Sequence, residues 1–371
     1  MFVSTTTVNY GRDDVELLTE DLTDQNENTR VIPVSDINQL QLTDDGKTEA
    51  DGFSFTPIAF RQICSLLSPG LAGLFLDVSG LRGDTSEAPR RYSLPLALTI
   101  FNFMLAQRFE TDLDSKWMVV DLRDGSIDGI VGKSYQRLSN LEVLNQTARV
   151  LDHYQRDVEL QTATVIRRRF SVHYTEKQSL IEGEDSFHRG YYFSNSEVGD
   201  GAMVGSPSLF RLFNEGRALG YAGRKGRLNH TGKDFQPRLE SLIDRVIESS
   251  LKPDTAEEWI LRTQNTSLGF TDDLDANDKR FESLKQLFIA KRISAGLAQR
   301  VLRNAVLQGS FEVSALPSMR LVPENIWYTR TEYDLVNSML RCSQTLPVLQ
   351  REQIEQLAFA VLSGRMQLNE E

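Results

Sequence analysis

Apolar residues change their spacing partway along the chain, and this change limits the folds that the sequence can adopt. In residues 116–138 and 157–177 the apolar and β-branched residues largely alternate, which is typical of β-strands. From Pro237 onward the spacing becomes i, i+3, i+4, which is typical of amphipathic helices. The Asp124-Gly125 dipeptide lies between two alternating runs and predicts a hairpin. The sequence therefore predicts an α+β fold with a central, mostly antiparallel sheet, packed helices and a helical C-terminal part.

Two further helices are predicted before Pro237 from their start signals. Residues 53–67 place Thr56 at a favourable N-cap position, and a proline follows at the first helical position. Residues 138–155 have helical spacing, with Ser139 or Asn140 as the N-cap.

Charge is unevenly distributed along the 371 residues, whose net charge is −11. Residues 1–56 contain twelve acids and three bases, giving −9 and leaving −2 for the rest. Residues 205–240 contain seven bases and three acids, giving +4, so a polyanionic partner is compatible with the overall charge. We divide the chain into an acidic, partly extended N-terminal arm (1–52), an α+β core domain (53–250) and a mainly helical C-terminal region (251–371).

The sequence predicts a cytoplasmic protein with no membrane partner. Its N-terminus lacks a basic region followed by an apolar one, and it has no run of 18 apolar residues. The two cysteines, Cys64 and Cys342, lie far apart and outside any CxxC pair, which favours buried free thiols over zinc ligands.

Common catalytic and cofactor-binding motifs are absent, so the sequence favours a protein that is not an enzyme, without deciding the question. It contains no GxGxxG, P-loop, GxSxG or HExxH pattern. The one metal hypothesis concerns the turn-rich block Gly190–Ala202, GYYFSNSEVGDGA, where Glu197 and Asp200 could supply oxygen ligands to a divalent cation. The favoured interpretation is a tight turn, because Asn, Ser, Asp and Gly adopt positive φ and bond the backbone. No other cofactor is predicted.

Basic and aromatic residues are interleaved in the central region, as in proteins that bind single-stranded nucleic acid. In an alternating strand Arg167 and Arg169 would share one face. Lys133 and Arg137, four residues apart in a strand-like run, would also share a face. The competing interpretation is a solvated sheet face with core aromatics. The predicted nucleic-acid-binding residues are Lys133, Arg137, Arg167, Arg169, Arg224, Lys225, Arg227 and Lys233, with Tyr135 and Tyr191 as candidates for base stacking.

Three segments of the sequence resemble a family of phage- and plasmid-borne proteins of unknown function, the phage/plasmid-like proteins. They begin SKWMVVDLRDG, YYFSNSEVGDGA and WYTRTEYDLVNSMLR, and together they span about residues 116–341. NSEVGDGA, residues 195–202, is the most specific of them. Family members often have a Cys-Asn-Gly sequence after this block, where this chain has Phe213-Asn214-Glu215-Gly216. The resemblance implies a mobile-element context and assigns no activity to individual residues.

These observations lead to one main hypothesis and two alternatives. The main hypothesis is a mobile-element DNA-handling accessory protein that binds single-stranded nucleic acid, in strand annealing or recombination. The first alternative is a protein-interaction module that counters host defence through the acidic arm, with a host protein as its partner. The weaker alternative is a metal-dependent enzyme that uses Glu197 and Asp200. A homo-oligomer is compatible with each of them.

Overall fold

The computed structural model describes most of the chain, and the following statements concern that part. The described residues are 7–34, 40–42, 48–50, 53–67, 94–106, 115–181, 186–213, 216–221, 226–232, 235–250, 252–271, 273–307, 330–343, 346 and 348–368. The strands are β1 (Thr7–Tyr10), β2 (Thr29–Pro33), β3 (Leu40–Leu42), β4 (Thr48–Ala50), β5 (Phe53–Phe55), β6 (Lys116–Asp121), β7 (Ser126–Gly132), β8 (Val158–Ile166), β9 (Arg169–Ile181), β10 (Ser186–Ser196), β11 (Met203–Phe213), β12 (Gly216–Tyr221) and β13 (Gly226–Leu228). The helices are α1 (Val15–Glu27), α2 (Pro57–Leu67), α3 (Leu94–Ala106), α4 (Asn140–His153), α5 (Phe235–Glu248), α6 (Pro253–Asn265), α7 (Leu274–Ala290), α8 (Ala295–Leu307), α9 (Glu332–Ser343) and α10 (Val348–Leu362).

The strands form two sheets, and the predicted α+β fold is confirmed. The first sheet has the order β1-β8-β9-β10-β11-β12, with β13 also paired to β11, and all its pairs are antiparallel. The second sheet has the order β2-β6-β7-β5-β4-β3, in which only the β5–β7 pair is parallel. The hairpin predicted at Asp124-Gly125 joins β6 to β7, and Gly125 takes the positive φ of 65° that favours glycine in such turns.

Each sheet is covered by helices on an apolar face. Helices α1, α4 and α5 pack on the first sheet, and α2 and α3 pack on the second. The predicted cap of α4 is confirmed, because the Ser139 side chain accepts a hydrogen bond from the Glu142 N–H at 3.1 Å. Helices α6 to α10 bury a third core, against which Phe187 and Leu209 of the first sheet pack. None of the described helices has both the length and the apolarity needed to cross a membrane.

The described part of the predicted N-terminal arm is folded into both sheets, where the sequence predicts a partly extended segment. Strand β1 pairs with β8, and β2 pairs with β6. Between them, Leu18 and Leu22 of α1 are buried in the core of the first sheet. These leucines are four residues apart and lie on one helix face, so an acidic composition did not prevent the segment from packing.

Candidate functional site

The β8–β9 hairpin ends in a two-residue connection formed by Arg167 and Arg168. Arg167 has a φ of 55°, in the left-handed region where glycine is favoured in hairpin turns. For another residue this conformation costs on the order of 1 kcal/mol, so other contacts must stabilise it. One of them comes from α1, where the Gln25 side-chain amide donates a hydrogen bond to the Arg167 carbonyl at 2.6 Å.

Arg168 is only 1% exposed and lies between the two sheets. Its guanidinium pairs with Asp121 at 2.8 Å and with Asp128, both on the β6–β7 hairpin. It also donates to the Thr29 hydroxyl at 2.7 Å. Burial alone would raise the pKa of Asp121, but hydrogen bonds from Arg123 and the charge of Arg168 outweigh burial and lower that pKa.

Further ion pairs extend from Arg168 to form one connected set, which we call the interior ion network. Arg167 pairs with Asp124 and Asp128, and Arg123 pairs with Asp24 and Asp121. Glu197 lies 3.7 Å from Arg168 and pairs with Arg137 at 2.9 Å. The members of the network are Asp24, Asp121, Asp124, Asp128 and Glu197 with Arg123, Arg137, Arg167 and Arg168.

The block Gly190–Ala202 connects the first sheet to helix α4. Besides pairing with Arg137, the buried Glu197 carboxylate accepts a hydrogen bond from the Asn140 backbone N–H at 2.6 Å. This N–H is at the start of α4, where a negative charge is favourable. The Asn195 side-chain amide donates to the Leu138 carbonyl at 2.9 Å and fixes the segment that enters the helix.

The same block also connects the first sheet to the second. Val198 packs in a small cluster with Val119 and Val131 of the second sheet. Its carbonyl accepts a hydrogen bond from the Gln62 side chain of α2 at 2.8 Å. Gly129 allows this close contact, because a Cβ at that position would lie 2.5 Å from the Val198 Cβ.

Glu197 and Asp200 have different protein partners, which favours the turn interpretation over the metal hypothesis. Asp200 pairs with Arg169 and accepts a hydrogen bond from the Ser196 hydroxyl, whereas Glu197 faces Arg137 and α4. Within the described ranges no group of three or more His, Cys, Asp or Glu residues could hold a metal ion. The turn also has the predicted left-handed glycine, Gly199, with a φ of 73°.

The prediction that Arg167 and Arg169 share a sheet face is wrong. Arg167 lies in the hairpin connection, so strand alternation does not apply to it, and its side chain pairs with Asp128. Arg169 begins β9, is 45% exposed, and pairs with Asp200 instead.

Lys133 and Arg137 do not share a strand face either, because β7 ends at Gly132. Lys133 is exposed, whereas Arg137 is half-buried and takes part in the interior ion network. Arg137 and Arg167 therefore have roles within the fold. Arg224, Lys225 and Lys233 lie outside the described residues.

Lys133 lies two residues before Tyr135, which pairs with the positively charged stretch of residues 205–240 at one end of the first sheet. An isolated bridge pairs Tyr135 with Thr231, and the Gln136 N–H donates to the His230 carbonyl at 2.7 Å. We call this region the basic end. Its described cations are Lys133, Arg169, Arg227 and Arg238, all of them exposed.

The two tyrosines proposed for base stacking have roles inside the protein. Tyr191 is 0% exposed, and its hydroxyl donates to Glu176 at 2.6 Å, so it cannot stack on a base in the folded protein. The prediction for Tyr191 is wrong because strand alternation alone does not tell which face of a sheet is covered by helices. The Tyr135 ring stacks on His230, with centroids 5.1 Å apart, and its hydroxyl donates to the Ser196 carbonyl.

The sequence-based selection missed Arg168, Asp121 and Asp128, the centre of the interior ion network. A signal was present, because both aspartates interrupt apolar runs, in KWMVVD and SIDGIV. Polar residues within such runs are buried only when they are paired.

Comparisons with protein-family models, with curated proteins and with solved structures found no match to this chain.

Proposed function

We propose that this protein is a DNA-handling accessory protein of a mobile element that binds single-stranded nucleic acid in the cytoplasm, in strand annealing or recombination. The observation that supports the proposal is the bridge between Tyr135 and Thr231, which brings Lys133 next to the segment that contains Arg227 and Arg238. The phosphate backbone is the part of a nucleic acid that such a cluster of cations would contact.

The local charge at the basic end is positive although the whole chain is acidic. Its four described cations and the single acid paired with them, Asp200, give +4 − 1 = +3. Exposed neutral polar residues lie between the cations, including Asn229 and Thr231. Because Tyr191 is buried and one face of Tyr135 is covered, binding would rest on phosphate contacts, with little sequence preference and a steep dependence on salt.

The test uses a double variant, Lys133→Ala with Arg227→Ala, whose side chains make no hydrogen bond or ion pair with the described part of the chain. The matched control is Lys279→Ala with Lys291→Ala, two exposed lysines at α7. Fluorescence anisotropy of a labelled oligo-dT would be measured over a range of salt concentrations. Each phosphate contact on a single strand contributes about 0.7 to the slope of log K against log salt, so the double variant should reduce that slope by about 1.4.

Two results would reject the proposal. One is the absence of any salt-dependent binding by the wild-type protein at low ionic strength. The other is a salt slope in the double variant equal to that of the lysine control pair, since the cations of the basic end would then make no phosphate contact.

The alternative of an interaction module that acts through an acidic arm has lost part of its basis. Asp24 pairs with Arg123, and Asp21 accepts a hydrogen bond from Tyr10, so both acids are used within the fold. Deletion of residues 1–50 would remove β1 from the first sheet, β2, β3 and β4 from the second, and helix α1. Such a deletion would therefore test folding before it tested any interaction.

A further inference from the structure

Helices α7 and α8 are joined by a tight turn of four residues, 291–294. Arg292 in this turn takes a left-handed φ of 67°, a conformation in which helices commonly end. Its N–H donates to the Ile289 carbonyl at 2.9 Å, and the Ile293 N–H donates to the Phe288 carbonyl at 3.0 Å. These two bonds form the Schellman pattern of a helix C-terminus, so backbone hydrogen bonds fix the direction in which the chain leaves α7.

The turn leads directly into an N-cap of α8. The Ser294 hydroxyl accepts a hydrogen bond from the Leu297 N–H at 3.4 Å, and its carbonyl accepts one from the Ala298 N–H at 2.9 Å. Between cap and helix end, the buried Ile293 packs in the same core as Phe288. Two helices joined by a three- or four-residue turn are the elements of a helix-turn-helix unit, whose second helix enters the major groove of duplex DNA.

The two faces of α8 differ in composition. The buried face consists of apolar residues that pack in the core of the C-terminal helices. Its members are Ala298, Val301, Leu302 and Ala305. The opposite face consists of one glycine and three hydrogen-bonding side chains, at the i, i+3, i+4, i+7 spacing of one helix face. These four residues, which we call the α8 stripe, are Gly296, Gln299, Arg300 and Arg303.

The α8 stripe lies in a strongly basic part of the chain. Residues 283–307 contain five bases and no acid. Lys285 is paired with Glu282, and the other four bases lie at the turn and in the α8 stripe. Arg300 is exposed although it also contacts the Cys342 thiol, and no described residue forms an ion pair with Arg303. The phosphates of duplex DNA complement this charge.

The side chains of the α8 stripe also match the hydrogen-bonding groups of DNA bases. In the major groove an arginine donates two hydrogen bonds to the O6 and N7 atoms of guanine, and a glutamine bonds to the N6 and N7 atoms of adenine. Gln299 and Arg300 lie in the N-terminal half of α8. The N-terminal residues of a recognition helix are the ones that contact base edges.

Gly296 is an independent observation that points to a ligand lying against this helix. Glycine within a helix is destabilising relative to alanine, because it loses more backbone freedom on folding. The fold does not require a glycine here, since a Cβ at this position would meet no atom within 4 Å. Glycine is favoured where a ligand approaches the backbone closely, and Gly296 lies in the first turn of α8, beside Gln299 and Arg300.

We infer that α7 and α8 form a helix-turn-helix unit and that α8 binds in the major groove of double-stranded DNA. Gln299 and Arg300 contact base edges, Arg303 contacts a phosphate, and Gly296 allows the helix to approach the DNA closely. The inference does not depend on single-strand binding at the basic end, because α8 belongs to the C-terminal helices and the basic end belongs to the first sheet.

The test is fluorescence anisotropy of the full chain with a labelled DNA duplex of random sequence, about three helical turns long. An RNA duplex of the same length is the control probe of equal charge. We expect tighter binding of the DNA duplex, because side chains cannot read the deep and narrow major groove of an RNA helix. A surface that only attracts phosphates would bind both duplexes equally.

Three variants locate the binding surface. Arg303→Ala should reduce the slope of log K against log salt by about 0.9, the contribution of one phosphate contact on B-DNA. The matched control Lys133→Ala removes a cation of the basic end and should leave the slope for the DNA duplex unchanged. Gly296→Leu should weaken binding of the DNA duplex without lowering the Tm, because its side chain enters space that is open in the free protein.

Four results would overturn the inference. They are the absence of DNA-duplex binding by the wild-type protein, equal affinity for the two duplexes, a salt slope in Arg303→Ala equal to that of Lys133→Ala, and unchanged duplex binding by Gly296→Leu. Oligo-dT binding measured on the same samples separates this inference from the proposed function. If Arg303→Ala weakened binding of oligo-dT and not of the DNA duplex, the α8 stripe would belong to a single-strand site and the inference would also be wrong.

Discussion

Replacing Arg168 with methionine should destabilise the protein far more than the same replacement at its neighbour Arg169. Arg168 is 1% exposed and holds two buried aspartates of the β6–β7 hairpin, whereas Arg169 is 45% exposed and holds one aspartate near the surface. Methionine has similar length and no charge in both cases. The two variants therefore compare a buried ion pair with an exposed one in adjacent residues.

The expected magnitudes follow from burial. Removing one partner of a buried ion pair costs about 3–5 kcal/mol, because the remaining charge stays desolvated. Asp121 and Asp128 each keep a second arginine, Arg123 and Arg167, so we expect the lower end, about 3 kcal/mol. That is a large fraction of the roughly 5–15 kcal/mol by which a folded protein is stable. The exposed Arg169 pair should contribute about 1 kcal/mol or less.

The effect of Arg168→Met should also depend on pH. A carboxyl group with a lowered pKa, such as Asp121, stabilises the fold above its unfolded pKa of about 3.9, and this contribution is lost as the pH falls through the folded pKa. Without Arg168 the pKa of Asp121 rises, so protonation relieves part of the cost. The gap in stability between variant and wild type should narrow from pH 7 towards pH 4.

Urea unfolding followed by far-UV circular dichroism at the two pH values would measure these differences. If Arg168→Met lost no more stability than Arg169→Met at pH 7, burial would not distinguish the two ion pairs. If the loss in Arg168→Met were the same at pH 4 as at pH 7, desolvated charge would not be its cause.

Two further predictions concern Gly129 of the second sheet, which contacts the block Gly190–Ala202, and His230 at the basic end. Gly129→Ala should lower the free energy of unfolding by about 1–3 kcal/mol, because its Cβ would overlap Val198. In the control Gly132→Ala, where no atom lies within 4 Å of the new Cβ, the change should stay within about 0.5 kcal/mol. An unchanged Tm of Gly129→Ala in thermal unfolding would show that the contact with Val198 is loose. Burial lowers the pKa of His230, so stability should fall as the pH drops below its unfolded value of about 6.5. In His230→Gln the difference in unfolding free energy between pH 7.5 and 5.5 should shrink, and an unchanged difference would contradict this account.

The parts of the fold that depend on local signals could be predicted from the sequence. Thr56 bonds the Ala59 N–H at the start of α2, Ser139 caps α4, and Gly364, with a φ of 73°, follows the end of α10. Each of these depends on a few neighbouring residues whose chemistry fixes the backbone. The hairpin at Asp124-Gly125 belongs to the same class.

The candidate site could be predicted only in part, because its geometry depends on contacts between distant residues. The positive charge of the Arg167, Arg168 and Arg169 triplet is visible in the sequence, but the two-residue turn that separates their side chains is not. An arginine can bind a ligand only if its side chain is exposed. Arg137 is half-buried because it contacts Glu197, which lies 60 residues away in the sequence. A count of cations along the sequence therefore includes residues that the fold uses for itself.

The block Gly190–Ala202 has a structural role at many of its positions. Asn195 and Glu197 fix the start of α4, Val198 fills the space against the second sheet, Gly199 takes a left-handed conformation, and Asp200 holds Arg169. A turn with this many simultaneous contacts tolerates few other sequences, whatever the protein binds. The sequence of this block is therefore explained by the joining of two sheets and a helix, and ligands are better sought at the exposed cations.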